Sequence, residues 1–126
     1  MKRVIATTSA PGAVGPYSQA VEANGFVFVS GQLPLDPATG AFVSDNTDEQ
    51  AEQCIKNLLA VFEAAGCKAE DVIKTTVFMI DIGDFSVVNE VYAKYFSGDC
   101  PARCAMQVSA LPKGALVEIE AIAVKP

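Results

Sequence analysis

Arg103, Glu118 and Glu120 are the residues whose types and spacing carry the most chemistry, because an arginine and two carboxylates fall in two otherwise apolar stretches, 101–108 and 117–124. Read as period-2 strands, the first stretch turns Ala102, Cys104, Met106 and Val108 to one face and Arg103, Ala105 and Gln107 to the other. The second turns Val117, Ile119, Ala121 and Ala123 to one side, while Glu118 and Glu120 lead the other. A charge in so apolar a run needs a partner, since leaving it buried and unpaired costs several kcal/mol, roughly. Two readings follow. One is an internal ion pair between Arg103 and Glu118 or Glu120; the other is an anion-binding guanidinium with a carboxylate nearby to move protons.

Other chemistry is poorly supplied. The chain has no histidine, so a serine or cysteine nucleophile would lack its usual general base. Its four cysteines, Cys54, Cys67, Cys100 and Cys104, contain no C-x-x-C pair, and a zinc site would have few ligands to draw on; reduced thiols are the expectation. The net charge is −6, and from Val4 to Ile55 there is no positive charge at all. Nucleic acid is therefore not an expected partner, because backbone phosphates demand a clustered basic face. At 126 residues, 51% hydrophobic and 19% charged, the composition is that of one compact domain spanning 1–126. No apolar run is long enough to span a bilayer, and the opening MKRVIATTSAPG is too briefly apolar for a signal peptide, so a cytoplasmic protein is expected.

Several elements must position these groups. Residues 10–16, APGAVGP, form a loop that delivers Tyr17 and Ser18 to the first strand. Asn24-Gly25, the favoured pair for a type I′ turn, predicts that Gln19–Ala23 pairs with Phe26–Ser30. Ser30-Gly31 then sits where a strand opens into the loop GQLPLDPATGAF, which has room for a short strand at 41–43. Thr47 with Gln50 three residues on predicts a capping box opening a helix, whose buried stripe is Ala51, Cys54, Ile55, Leu58, Leu59 and Phe62 and which Gly66 ends. Val72–Ile80 is a β-branched central strand. A second helix follows, with Asp84 as N-cap, a stripe of Val88, Val91, Tyr92, Tyr95 and Phe96, and Ser97-Gly98 as its stop. Asn89 lies beside that stripe. The strands carrying Arg103 and Glu118 close the chain as a hairpin-like pair joined by SALPKGA.

This order is α+β, a five- or six-stranded sheet with two helices. Two helices cover one face of such a sheet, yet both faces of several strands are apolar. A homo-oligomer in which the bare faces meet would supply the missing cover.

GPYSQAV, VSGQLPLDPATG, AGCKAEDVIKTTVFMID, DFSVVNEVYAKYF, PAR and ALPKGALVEIEAIAV, in that order, resemble the characteristic segments of the reactive-intermediate deaminase family (RidA, formerly YjgF) nearly end to end. The resemblance implies a chorismate-mutase-like fold, a homotrimer with clefts between subunits, and cofactor-free hydrolysis of imines such as 2-iminobutanoate and 2-iminopropanoate. Position by position, Arg103 matches the arginine that binds the substrate carboxylate and Glu118 the glutamate associated with the attacking water. Tyr17, Gly31 and Asn89 match pocket positions, Ser30 is adjacent, and Phe85 forms a wall by similarity to animal members. Many bacterial members carry a cysteine two residues after the arginine; here that place holds Ala105, whose backbone carbonyl is left to hold a water, and Cys104 falls on the opposite face. The connection before Pro101 is also shorter than in typical bacterial members. A trimer that only binds 2-keto acids would look the same, with Glu118 as the discriminating residue. The ribonuclease role attached to some relatives sits poorly with the acidic balance.

Overall fold

The computed structural model describes residues 1–126. Six strands form one mixed sheet: β1 (Arg3–Ile5), β2 (Ala20–Ala23), β3 (Phe26–Gln32), β4 (Val72–Met79), β5 (Ala102–Gln107) and β6 (Val117–Val124). Their spatial order is β1-β2-β3-β6-β4-β5. Helices α1 (Thr47–Ala64) and α2 (Phe85–Ala93) carry the layer that covers one face. No helix is long and apolar enough to cross a membrane.

The β2–β3 hairpin forms as its turn residues dictate, with Asn24 at φ 52 and Gly25 at φ 81, both in the left-handed region that a type I′ turn requires. Helix α1 follows its pattern except at Leu59, which is only partly buried while Val61 takes its place in the stripe. Ala51, Cys54, Ile55, Leu58, Val61 and Phe62 are fully buried against the sheet. The helix closes when the amides of Gly66 and Cys67 donate back to the carbonyls of Glu63 and Phe62, with Gly66 at φ +85. That apolar stripe meets Val27 and Val29 of β3, Val77 and Met79 of β4, and Val117, Ile119, Ala121 and Ala123 of β6 in one core.

Several local expectations are corrected. There is no capping box at Thr47: Asn46 is the N-cap, the Thr47 hydroxyl donates to Asp84, and the buried Gln50 side chain turns to tertiary partners. Asp84 stands at the N-cap of α2 but makes no cap bond; Asp81, one turn earlier, accepts from the Gly83 amide. Helix α2 ends at Ala93, so Tyr95 and Phe96 lie beyond it, Phe96 still buried and Tyr95 half-buried. Residues 41–43 contribute only an isolated bridge, Leu35 to Phe42, whereas Arg3–Ile5 forms a strand that the pattern did not announce.

The largest correction concerns the closing pair. Strands β5 and β6 are not a hairpin, because β4 lies between them, antiparallel to β6 and parallel to β5. The link from β4 to β5 contains α2, and a helical crossover is what parallel neighbours require. β5 is consequently an edge strand, mostly exposed rather than partly buried.

The second face of the sheet is bare. Phe26 (40% exposed), Phe28 (42%), Met106 (39%) and Val124 (40%) project from it, alongside Thr76, Phe78 and Ile122.

Candidate functional site

The central strand β6 sets the first part of the site. Its odd-numbered residues are buried against the helices, so Glu118 and Glu120 point from the bare face. Helix α1 fixes the start of this strand from behind: the Gln50 side-chain Oε1 accepts from the Leu116 amide at 2.8 Å, and the Cys54 thiol donates to the Val117 carbonyl at 3.4 Å. Between Val29 and Gln32 the β3–β6 register slips, and the bulge falls on Ser30-Gly31. These two residues are therefore inside a strand, not at its end as the sequence suggested. The bulge brings Gly31 against Glu118 so closely that an added Cβ would stand 2.5 Å from Oε2 and 2.9 Å from Cδ. Only glycine leaves the carboxylate where it is.

Glu118 faces a cleft of about 450 Å³ whose wall includes Tyr17, Ser30, Gly31, Leu33, Pro112 and Lys113. Buried amides hold the loops of this wall. Gln19 accepts from the Thr7 amide at 2.7 Å and donates to the Thr7 and Pro11 carbonyls at 3.0 and 2.7 Å. Asn57, buried within α1, donates to the carbonyls of Leu33 and Leu35 at 3.0 and 2.9 Å. The Ser30 hydroxyl donates to the Ser18 carbonyl at 2.6 Å, which ties the bulge to the Tyr17 segment, and the Tyr17 hydroxyl accepts from the Val14 amide at 3.3 Å. Glu118 is half-buried, pairs with no cation, and has its pKa raised, first by burial and then by the charge of Glu120. It is a carboxylate held ready to take a proton.

Arg103 lies elsewhere. On β5 it stands opposite Thr75, on the helix-covered side, while Glu118 stands opposite Phe78 on the bare side. Its guanidinium donates to Asn89 Oδ1 at 2.7 Å and sits 5.3 Å from the Phe85 ring centroid and 4.9 Å from that of Tyr92. Tyr92 is fixed from below by a 2.7 Å hydrogen bond between its hydroxyl and the buried Thr75. No carboxylate lies within 4.0 Å of Arg103, so the internal ion pair with Glu118 or Glu120 does not exist. An exposed guanidinium stacked on aromatic rings, with one amide partner, keeps most of its donors free for a planar anion. Ala105 follows on the same face of β5, half-buried opposite Val77, and Cys104 projects from the other face 3.7 Å from Lys74 Nζ.

The structure thus gathers the sequence-nominated residues into two groups: Tyr17, Ser30, Gly31 and Glu118 in one, Phe85, Asn89, Arg103 and Ala105 in the other. It does not join them within one chain. Sequence reasoning missed Gln19, Asn57 and Gln50 as wall supports, Tyr92 as the shelf under Arg103, and Pro112 and Lys113 in the cleft. For Gln50 and Asn57 the signal was present, since a polar residue on a buried helical stripe must satisfy its hydrogen bonds; Gln19, in the loop before β2, gave none.

Residues 7–125 match the family model described as Endoribonuclease L-PSP. The chain is similar to the RutC family protein y4sK of Sinorhizobium fredii, 58% identical over 94% of each chain. It is similar to the human 2-iminobutanoate/2-iminopropanoate deaminase, 50% identical over 99% of this chain and 91% of that one. Among solved structures it resembles RidA from the Antarctic bacterium Psychrobacter, with a TM-score of 0.93 at 48% identity, covering 97% of this chain and 98% of that one. With its fold and its sequence both matching these proteins, the chain belongs to the reactive-intermediate deaminase (RidA/YjgF) family.

Proposed function

We propose that this protein hydrolyses reactive enamine and imine intermediates, 2-iminobutanoate and 2-iminopropanoate, to 2-keto acids and ammonia. The mammalian relatives that carry this activity in their names, at about half identity over 99% of this chain, support the assignment. The observation that carries it is the pairing of two incomplete groups: a carboxylate without a cation in a cleft, and a guanidinium without a carboxylate at the sheet edge.

A trimer completes the site. Two sheet faces that are each apolar and bare bury one another, and the edge strand β5 of one subunit then borders the Glu118 cleft of the next. Arg103 of the partner subunit holds the substrate carboxylate in a bidentate fork, with Asn89 fixing the guanidinium and Phe85 walling the alkyl end. Glu118 holds a water on the iminium carbon, beside Tyr17 and Ser30 and, from the partner subunit, the Ala105 backbone. The water oxygen adds to that carbon as its proton passes to Glu118, giving a carbinolamine. Glu118 returns the proton to the amino nitrogen and then, as a carboxylate again, takes the hydroxyl proton while the C–N bond breaks and the C=O bond forms; ammonia leaves, carries that proton away as ammonium, and the keto acid remains. An enamine substrate is first protonated on carbon to reach the same iminium.

A trimer that only binds 2-keto acids would need the arginine but gain nothing from an unpaired half-buried carboxylate, which costs stability. Its presence favours turnover. The ribonuclease in the family description calls for a basic face, and this chain, at −6, has none of the clustered cations that phosphates require. We place the protein in the cytoplasm, where its four unpaired cysteines stay reduced. The test generates the imine with an amino-acid dehydratase or oxidase and follows keto-acid release with and without this protein, alongside light scattering. Acceleration by a particle of three subunits is the expected result; no acceleration, or a monomer at micromolar concentration, defeats the proposal.

A further inference from the structure

We propose that Lys113 is a second anion anchor in the Glu118 cleft and that it extends the substrates to 2-imino acids bearing a second carboxylate on the side chain. The inference rests on the deaminase reading and adds a substrate class to it. Lys113 is the one cationic residue in the cleft wall, on the loop between β5 and β6. No carboxylate lies within 4.0 Å of its ammonium, whereas Arg3 and Lys125 are both spent on Glu22. The Lys113 charge is therefore available to a ligand.

The backbone at this position adds an independent observation. Lys113 sits at φ 59, ψ 14, one of two non-glycine residues in the left-handed region, and the other, Asn24, is a residue type that tolerates it. Glycine would adopt this turn without strain, as Gly114 does next door at φ 76. The turn is closed by hydrogen bonds from Gly114 to Leu111 and from Ala115 to Pro112, so it survives with the strained residue in place. A side chain kept where glycine is cheaper, on the wall of a reaction cleft, points to a use for that side chain.

The chemistry of the use follows from what else is taken. The α-carboxylate of an imino acid belongs to the planar fork of Arg103 from the partner subunit. A flexible ammonium across the cleft suits a second carboxylate at variable distance, because a point charge on a four-carbon stem tolerates different side-chain lengths. A dianion approaching a protein of charge −6 is repelled overall, so a local cation decides whether it enters. Such dianionic imines arise when the α-amino group of an acidic amino acid is oxidised, with the electrons going to a flavin, so the supplying reaction is an oxidase or dehydrogenase of acidic amino acids.

The experiment measures kcat/KM of the assembled protein on 2-iminosuccinate, generated from aspartate by an aspartate oxidase, against 2-iminopropanoate generated from alanine. Wild type is expected to hydrolyse both. Lys113→Gln should lower kcat/KM on 2-iminosuccinate at least tenfold more than on 2-iminopropanoate, through KM, and Lys113→Glu should widen that gap. Lys113→Gly should show the same selective loss with an unchanged or higher melting temperature, which separates the charge from the fold. Equal effects on the two imines, or a wild type that hydrolyses 2-iminopropanoate but not 2-iminosuccinate, would overturn the proposal alone. Failure on both imines would overturn the deaminase reading and the proposal with it.

Discussion

The Arg103 patch and the Glu118 cleft belong to one chain and one sheet, yet they are built on opposite principles. Arg103 is displayed: an exposed guanidinium on an edge strand, laid over Phe85 and Tyr92 and steered by Asn89. Glu118 is withdrawn: half-buried on the central strand, beneath a bulge, with its carboxyl pushed toward the protonated form. A cation that must capture an anion from solution keeps its hydration and its donors, and a carboxylate that must exchange protons near neutral pH is desolvated. On the proposed reading, each group is thus prepared within its own chain for a site that only assembly completes.

The largest effect is expected where the display is removed. Arg103→Ala should reduce kcat/KM about a thousandfold or more, since the charged anchor on the substrate carboxylate is lost, while thermal melting changes little because the residue pairs with no charge in its own chain. Arg103→Lys should restore little, as an ammonium cannot reproduce the fork. A collapse of the melting transition in Arg103→Ala would mean that the patch is structural and would break the contrast.

Next comes the withdrawn carboxylate. Glu118→Gln should lower turnover about a hundredfold and leave calorimetric affinity for a 2-keto acid nearly intact, because shape and most hydrogen bonding survive. Glu120 is exposed on the same face, two residues on, so Glu120→Gln should cost far less. Since the Glu120 charge also raises the Glu118 carboxyl, removing it should move the acid limb of the pH–rate profile to lower pH. Equal losses in both variants would indicate general electrostatic support instead of one catalytic carboxylate.

Gly31→Ala probes the seat rather than the group. Its Cβ would collide with Glu118 Oε2, so the carboxylate must shift, and turnover should fall on the order of tenfold with a smaller change in stability. An unchanged kcat would show that the position of Glu118 is not critical.

The smallest effect is on folding. A carboxyl whose folded pKa is raised binds more protons in the native state than in the unfolded chain, so stability declines as pH rises from the unfolded pKa through the raised folded one. At neutral pH Glu118 is therefore a burden on the fold, and Glu118→Gln should melt slightly higher than wild type there, with the gap closing in acid. A lower melting temperature at neutral pH would sink the view that this carboxylate is kept for chemistry at the expense of stability.

Much of this was legible in the residues. The stripe from Ala51 to Phe62 announced α1, and Asn24-Gly25 announced the β2–β3 hairpin, because each is a local pattern with one physical solution. The family resemblance gave all eight nominated positions, yet the period-2 reading alone put Arg103 and Glu118 on neighbouring strands. Alternation tells which residues share a face of one strand, not which strand lies beside it, so the insertion of β4 was invisible there. The clue lay in the helix between β4 and β5, which a parallel crossover needs and a hairpin does not. Thr47 and Gln50 misled for a similar reason: tertiary partners outbid the local capping pattern.

The place of β6 in the sheet governs how the molecule comes into being. Strands β3 and β4 both hydrogen-bond to β6 and not to one another, so until residues 117–124 are made each presents a raw edge. Most of the chain must then be closed into a loop to join Phe26 with Val124, a pairing of high sequence separation that slows folding. Without β6 the strands fall into two sets, β1-β2-β3 and β4-β5, whose β3 and β4 edges lack their native partner, and such unpaired edges are open to wrong partners and to chaperones. The strand that ends this vulnerability also carries Glu118 and adds Ile122 and Val124 to the bare face, so closure of the sheet and completion of the Glu118 cleft fall in one late step.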